Sequence, residues 1–163
     1  MKENSRQKTA CLPVGRLGTK RMGELAELAF MYRAASYGFG VARPYGDSHQ
    51  YDFLVQHGRR LLRVQVKSCF TPQEGYRRAG YPIIVSRAIG KSWKRYSIED
   101  IDFIAAFVAP HEAWYVIPIE ALGTSKNIRL YPGGKHNKRS DAWFEHYREA
   151  WHLLQEEKTE EPR

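Results

Sequence analysis

The chain has 163 residues, 42% of them hydrophobic, and a formal net charge of +8. That is enough for one domain with a real core, too short for two comfortable ones, and too apolar for a disordered chain. No stretch approaches the roughly 18–20 apolar residues of a membrane span, so no membrane association is expected, and the basic balance favours a polyanionic partner, nucleic acid first.

Residues 1 to about 18 read as an irregular basic arm. Pro13, Gly15 and Gly18 break any pattern, and the charge is not followed by the apolar core of a secretory signal. Cys11 and Cys69 fit no zinc spacing and no disulfide framework, which points to free thiols in a cytoplasmic protein. A single domain is expected over 19–155, with a frayed tail at 156–163.

A helix is predicted from Thr19 to Tyr37, capped by Thr19 and stopped by Gly38. Met22, Leu25, Ala26, Ala29, Tyr32, Arg33 and Ser36 share its mostly apolar face. A short strand near Val41–Arg43 and a turn at 44–47 follow. Two longer strands come next, Tyr51–His57 and Leu61–Ser68. Gly58-Arg59 between them suits a type II′ hairpin turn, which needs Gly at its first central position. Residues 69–80 read as a loop, Pro82–Ser86 as a strand, 87–95 as a loop and Ser97–Asp100 as one helical turn. Asp102–Ala109 and Trp114–Ile119 read as strands, and Asn127–Tyr131 as an edge strand. A last helix, Ser140 to Gln155, would align Trp143, Phe144, Tyr147, Trp151 and Leu154. The order implies a mixed α/β fold with a central mixed sheet flanked by helices.

The hairpin register can be derived. A two-residue loop at 58–59 pairs His57 with Arg60, so paired numbers sum to 117. Asp52 and Gln65 meet that condition and lie opposite one another, with Cβ atoms roughly 4.5–5.5 Å apart. Lys67, two residues on, points the same way. One face carries Tyr51, Phe53, Val55, Leu62, Val64 and Val66. The other carries Asp52, Leu54, Gln56, Leu61, Arg63, Gln65 and Lys67. An amphipathic hairpin with one wet face gives the same alternation. The polar set nevertheless has the parts phosphodiester hydrolysis needs. Asp52, the Gln65 amide oxygen and the Val66 carbonyl are oxygen donors for Mg²⁺. Lys67 can orient water or stabilise charge on phosphorus.

Asp52, a gap of thirteen, then Gln65-Val66-Lys67 resembles the PD-(D/E)XK nuclease signature, with Gln in place of the final acid. Residues 58–68 resemble most the PD-(D/E)XK homing endonucleases of bacterial group I introns, which also use Gln-x-Lys. Further matches are Gly23-Glu24, Gly46-Asp47 before Tyr51-Asp52, Asp100-Ile101-Asp102-Phe103 and Trp114 to Pro118, so the resemblance spans about residues 19–120. It implies a restriction-endonuclease-like core and a site-specific, Mg²⁺-dependent endonuclease for double-stranded DNA, with Mn²⁺ as a substitute metal. It also implies a homo-oligomer, dimer or tetramer. The neutral Gln65 leaves three outcomes: a compensating acid, one tight metal, or an inactive core that still binds DNA. A junction or repair nuclease of the same fold is a further alternative. The compensating acid is expected from the first helix. Glu24, which follows Gly23, is chosen, and Glu27 is the alternative. Both also read as ordinary surface acids.

Basic residues interleaved with aromatics supply the DNA contacts. Arg77, Arg78, Arg87, Lys91, Lys94 and Arg95 stand against Glu74 alone between 68 and 98. Lys135, Lys138 and Arg139 belong to a second acid-free run. Gln73, Arg77 and Arg78 are candidates for base edges. The histidines read as surface or satisfied polar residues, with His49, just before Asp52, held open as one that faces the scissile phosphate. Cys69 lacks the base that a thiol nucleophile needs.

Overall fold

The computed structural model describes residues 17–74, 80–132 and 144–155. The basic arm, the 156–163 tail, Arg77, Arg78, Lys135, Lys138 and Arg139 therefore lie almost wholly or wholly outside the described residues.

The chain opens with α1 (Thr19–Ser36). Gly18, not Thr19, is its N-cap, and no side chain caps it. Its C-terminus is a Schellman motif. Gly38 takes φ +83°, its N–H donates to Ala35 O at 2.9 Å, and Phe39 N–H donates to Ala34 O at 3.2 Å. The helix is rolled relative to the predicted stripe. Ala26, Phe30 and Ala34, at i, i+4 and i+8, are the buried residues, and Tyr32 is 78% exposed. Phe30 wins the interior because it meets three other aromatic rings, Phe53, Trp114 and Trp151, at centroid distances of 5.2, 5.7 and 5.9 Å.

The sheet follows the order β1-β2-β3-β7-β8, from β1 (Gly40–Ala42), β2 (Phe53–His57), β3 (Arg60–Cys69), β7 (Phe103–Val108) and β8 (Ala113–Pro118). Only the β3–β7 pairing is parallel, so the sheet is mixed. Between β3 and β7 the chain forms β4 (Tyr81–Ile84), β5 (Ser86–Ile89) and β6 (Ser92–Arg95). β4 pairs with β9 (Asn127–Leu130), and β5 pairs with β6. The expected loop at 87–95 is thus a hairpin. Its Gly90-Lys91 turn, with Gly90 at φ +58°, repeats the chemistry of Gly58-Arg59.

Two apolar layers sandwich the sheet. On one face α1 packs over Phe53, Val55, Val64, Trp114 and Val116, and on the other β4 and β9 cover Ile104, Ala106, Tyr115 and Ile117. β7 and β8 are buried on both faces, as their continuous apolar runs require. Tyr51 is expected on the same face as Phe53 and Val55. It lies before β2 begins and packs instead against the second layer.

The predicted C-terminal helix is absent from the described part of its range. Residues 145–147 and 151–154 form short 3₁₀ turns. Between them Glu149 adopts φ +50°, and Arg148 bridges to Tyr115. β8 is the sheet's edge strand, and its open polar groups decide this conformation. Glu149 N donates to Trp114 O at 2.8 Å, and its Oε1 accepts from Trp114 N at 2.8 Å.

Candidate active site

The hairpin forms in the derived register, from His57–Arg60 to Phe53–Val64. Gly58 takes φ +59° while Arg59 keeps a negative φ, the signature of the type II′ turn. β2 stops at Phe53, although Asp52 N still donates to Val64 O at 2.9 Å. Beyond that point Val66 N has lost its partner strand, and the Asp52 carboxylate takes the place of the missing carbonyl. Its Oδ2 accepts from Val66 N at 2.8 Å and from Gln65 Nε2. The Val66 carbonyl points toward the same vacated side, since alternate residues of a strand direct their polar groups alike.

Burial pushes the Asp52 carboxyl above its ordinary value, against the opposing pull of Val66 N–H, Lys67 and Gln65. Lys67 shares the face, and its Nζ lies 5.5 Å from the centroid of the Tyr96 ring. These residues open onto a cleft of about 1300 Å³. One wall is the first half of α1, including Gly23 and Glu27, and the other carries Arg87, Trp93, Tyr96 and Arg129.

The helix roll separates the two candidate acids. At about 100° per residue, Glu27 sits about 60° from the buried Phe30, and Glu24 about 120° away. Glu27 therefore borders the cleft, whereas Glu24 lines a separate surface hollow and pairs with Arg21 at 3.1 Å. The Glu27 side chain is 23% exposed and Glu24 43%. Burial, then the Asp52 charge, raise the Glu27 carboxyl, and Arg43 at 2.8 Å opposes them. The first-choice acid of the sequence reading, Glu24, is not brought to Asp52; the alternative, Glu27, is.

Arg43 was not singled out from the sequence. It sits just past β1 and touches Glu27, and its guanidinium also lies 5.5 Å from the Phe53 ring centroid. Only the fold brings it there, and no local pattern marks it. Arg63, on the polar face, is tied down rather than solvated. Its N, Nε and Nη2 bond the Asp102 carboxylate at 2.7, 3.1 and 2.9 Å, and Nη1 and Nη2 reach the carbonyls of Glu99 and Ile98. This knot fastens β3 to the start of β7.

Lys91, Lys94 and Arg95 are exposed on the β5–β6 hairpin. His49 stacks near Tyr51, at 5.0 Å between centroids, and does not line the cleft. Cys69 lines the cleft but donates to Thr71 O, and burial pushes its thiol up, the wrong direction for a nucleophile.

Residues 17–154 match the family model described as PD-(D/E)XK endonuclease. The chain belongs to the PD-(D/E)XK endonuclease family. Its fold is the restriction-endonuclease-like one, with a single α-helix among the described residues. Among solved structures it is similar to a bacterial homing endonuclease, I-Ssp6803I, at 30% identity and TM-score 0.73, covering 85% of this chain and 94% of that one. It also matches Hjc, a Holliday junction resolvase of Archaeoglobus fulgidus, at 19% identity and TM-score 0.44, covering 67% and 83%. No curated protein matches it. Among the described residues no helix is long and apolar enough to cross a membrane.

The donor set suits the divalent cation this family implies. Among the described residues no three His, Cys, Asp or Glu side chains gather. Asp52 and Glu27 with the Val66 carbonyl would offer oxygens of low total charge, the kind Mg²⁺ accepts alongside water and substrate phosphate, while Gln65 turns Nε2 toward Asp52 and the Val66 carbonyl.

Proposed function

We propose that this PD-(D/E)XK protein is a Mg²⁺-dependent, site-specific endonuclease that hydrolyses phosphodiester bonds of double-stranded DNA, of the homing type. The observation that carries the reading is the cluster of Asp52, Gln65 and Lys67 at the end of one hairpin, opening on a cleft whose far wall is basic. Similarity to a homing endonuclease along 85% of the chain supports it.

Asp52, Glu27 and the Val66 carbonyl would hold the cation, with Gln65 steadying Asp52 through Nε2. We take Glu27 rather than Glu24 as the helix acid, because it borders the cleft and feels the Asp52 charge. Mg²⁺ bound there would polarise the phosphate and lower the pKa of the attacking water. That donation orients the carboxylate and leaves Gln65 Oε1 to meet water. Lys67 brings its ammonium to the phosphate oxygens, where charge builds as the bond breaks. Arg129, which also lines the cleft, would hold the flanking backbone.

The test is cleavage of a diverse pool of long duplex DNA with Mg²⁺, with EDTA and Lys67→Ala as controls. Discrete cuts that need the metal and vanish in the variant support the reading. Retained gel-shift binding without cuts would replace it with a non-catalytic DNA-binding module. Cuts confined to branched DNA would replace it with a junction nuclease.

A further inference from the structure

The β5–β6 hairpin stands apart from both apolar layers. Its strands pair only with each other, and a two-stranded ribbon alone in water is marginal. Its base is anchored. Val85 N and Ser86 Oγ both donate to Lys126 O, at 2.9 and 3.2 Å. Arg87 reaches Asp100 at 3.3 Å, and Ser97, just past β6, donates to that carboxylate from N and Oγ.

The far part has no such support. Lys91, Ser92, Trp93, Lys94 and Arg95 are all exposed, with Trp93 at 52% and Ile89 at 46%. From 86 to 95 the chain carries four basic residues and no acid. Trp93 is paired with Ala88, and both line the cleft that contains Asp52 and Lys67. A large indole left half in water, on a cationic ribbon, next to a reaction site, needs a partner with both negative charge and apolar faces. Duplex DNA supplies both, as phosphates and as the base edges and thymine methyl groups of its major groove.

We propose that this hairpin is a groove-reading ribbon for duplex DNA, in which Lys91, Lys94 and Arg95 meet phosphates and Trp93 presses on the bases beside the scissile step. The inference rests on the nuclease reading and names the element that holds its substrate. A two-stranded ribbon fits the major groove. Four residues at about 3.3 Å each carry its tip about 13 Å from the base, about four base pairs along the duplex. A protein partner with an acidic face would fit the charge, yet it would lie across the mouth of the catalytic cleft.

Binding is measured in EDTA, so that cleavage plays no part, with sonicated mixed-sequence duplex as the probe. Trp93→Ala should weaken affinity on the order of tenfold, and Trp93→Phe should recover most of it, because apolar contact with the groove floor needs a ring rather than the indole N–H. Lys91→Ala with Lys94→Ala should lower the slope of log affinity against log salt by about two. DNA should quench the tryptophan emission of the wild type, and Trp93→Phe should lose that quenching. This readout is taken in a Trp143→Phe background, because Trp143 is the fourth tryptophan of the chain, while Trp114 and Trp151, each 2% exposed, cannot report it. Wild-type affinity in Trp93→Ala, an unchanged salt slope in the lysine variant, or full quenching in Trp93→Phe would each overturn the proposal. The lysine variant decides the matter if Trp93→Ala does not fold. Failure of the nuclease reading looks different: binding and quenching would persist while no Mg²⁺-dependent cuts appear.

Discussion

Asp52 completes the hairpin end and is, at the same time, a buried carboxylate. Folding holds a proton on Asp52 and on Glu27 more tightly than the unfolded chain does. The stabilisation from those protons is complete below the ordinary carboxylate values and is lost as pH rises through the folded ones. At neutral pH without metal both groups therefore cost stability. Asp52→Asn keeps an oxygen for Val66 N and should raise metal-free stability, read as a higher Tm, while abolishing cleavage. Thermal scans from pH 4 to 8 check this. The gain should shrink toward pH 4, and added Mg²⁺ should stabilise the wild type at pH 8 only. The two helix acids separate by activity. Glu27→Gln should lower the cleavage rate about 100-fold or more, and Glu24→Gln should leave it within about threefold, read in single-turnover assays. Tyr96 positions Lys67 through its ring face. Tyr96→Phe should keep the rate, and Tyr96→Leu should lower it about three- to thirtyfold at unchanged DNA affinity.

At the scale of elements, the sequence is most legible where contacts are local. Gly58-Arg59 sets the turn, the turn sets the register, and the register puts Gln65 and Lys67 with Asp52. The same Gly-first signal at Gly90-Lys91 makes a hairpin where a loop was read, because its flanking strands lack an apolar alternation. The helix roll was not legible. Tyr32 and Phe30 are similar in hydrophobic content, and only the rings of Phe53, Trp114 and Trp151 choose between them. That choice moves the candidate acid from Glu24 to Glu27. The segment after residue 143 follows the same logic. Its aromatics suit a helix, but the β8 edge recruits Glu149 as a cap, and Glu149 Oε2 also accepts from Trp151 Nε1 at 2.9 Å. Glu149→Ala leaves two buried donors without an acceptor and should cost about 2–4 kcal/mol in urea unfolding.

At the scale of the whole molecule, Asp52, Gln65 and Lys67 share one cleft among the described residues. One site of this kind cuts one strand, so a double-strand break calls for two copies across the duplex. Light scattering of the metal-free protein should give a dimer or tetramer, and mixing in Asp52→Asn subunits should convert double-strand breaks to nicks. Cutting both strands as a monomer would contradict this arrangement. The sequence by itself determined the basic character of the protein, the hairpin register and the presence of Asp52, Gln65 and Lys67 on one face of the hairpin, because turn chemistry and two-residue periodicity act over a few residues. The tertiary structure alone decided which helix glutamate meets Asp52, that Arg43 joins it, that Arg63 is locked to Asp102, and that the chain after residue 143 seals a sheet edge. Those outcomes depend on which distant surfaces pack together, and nothing in the local spacing of residues carries that information.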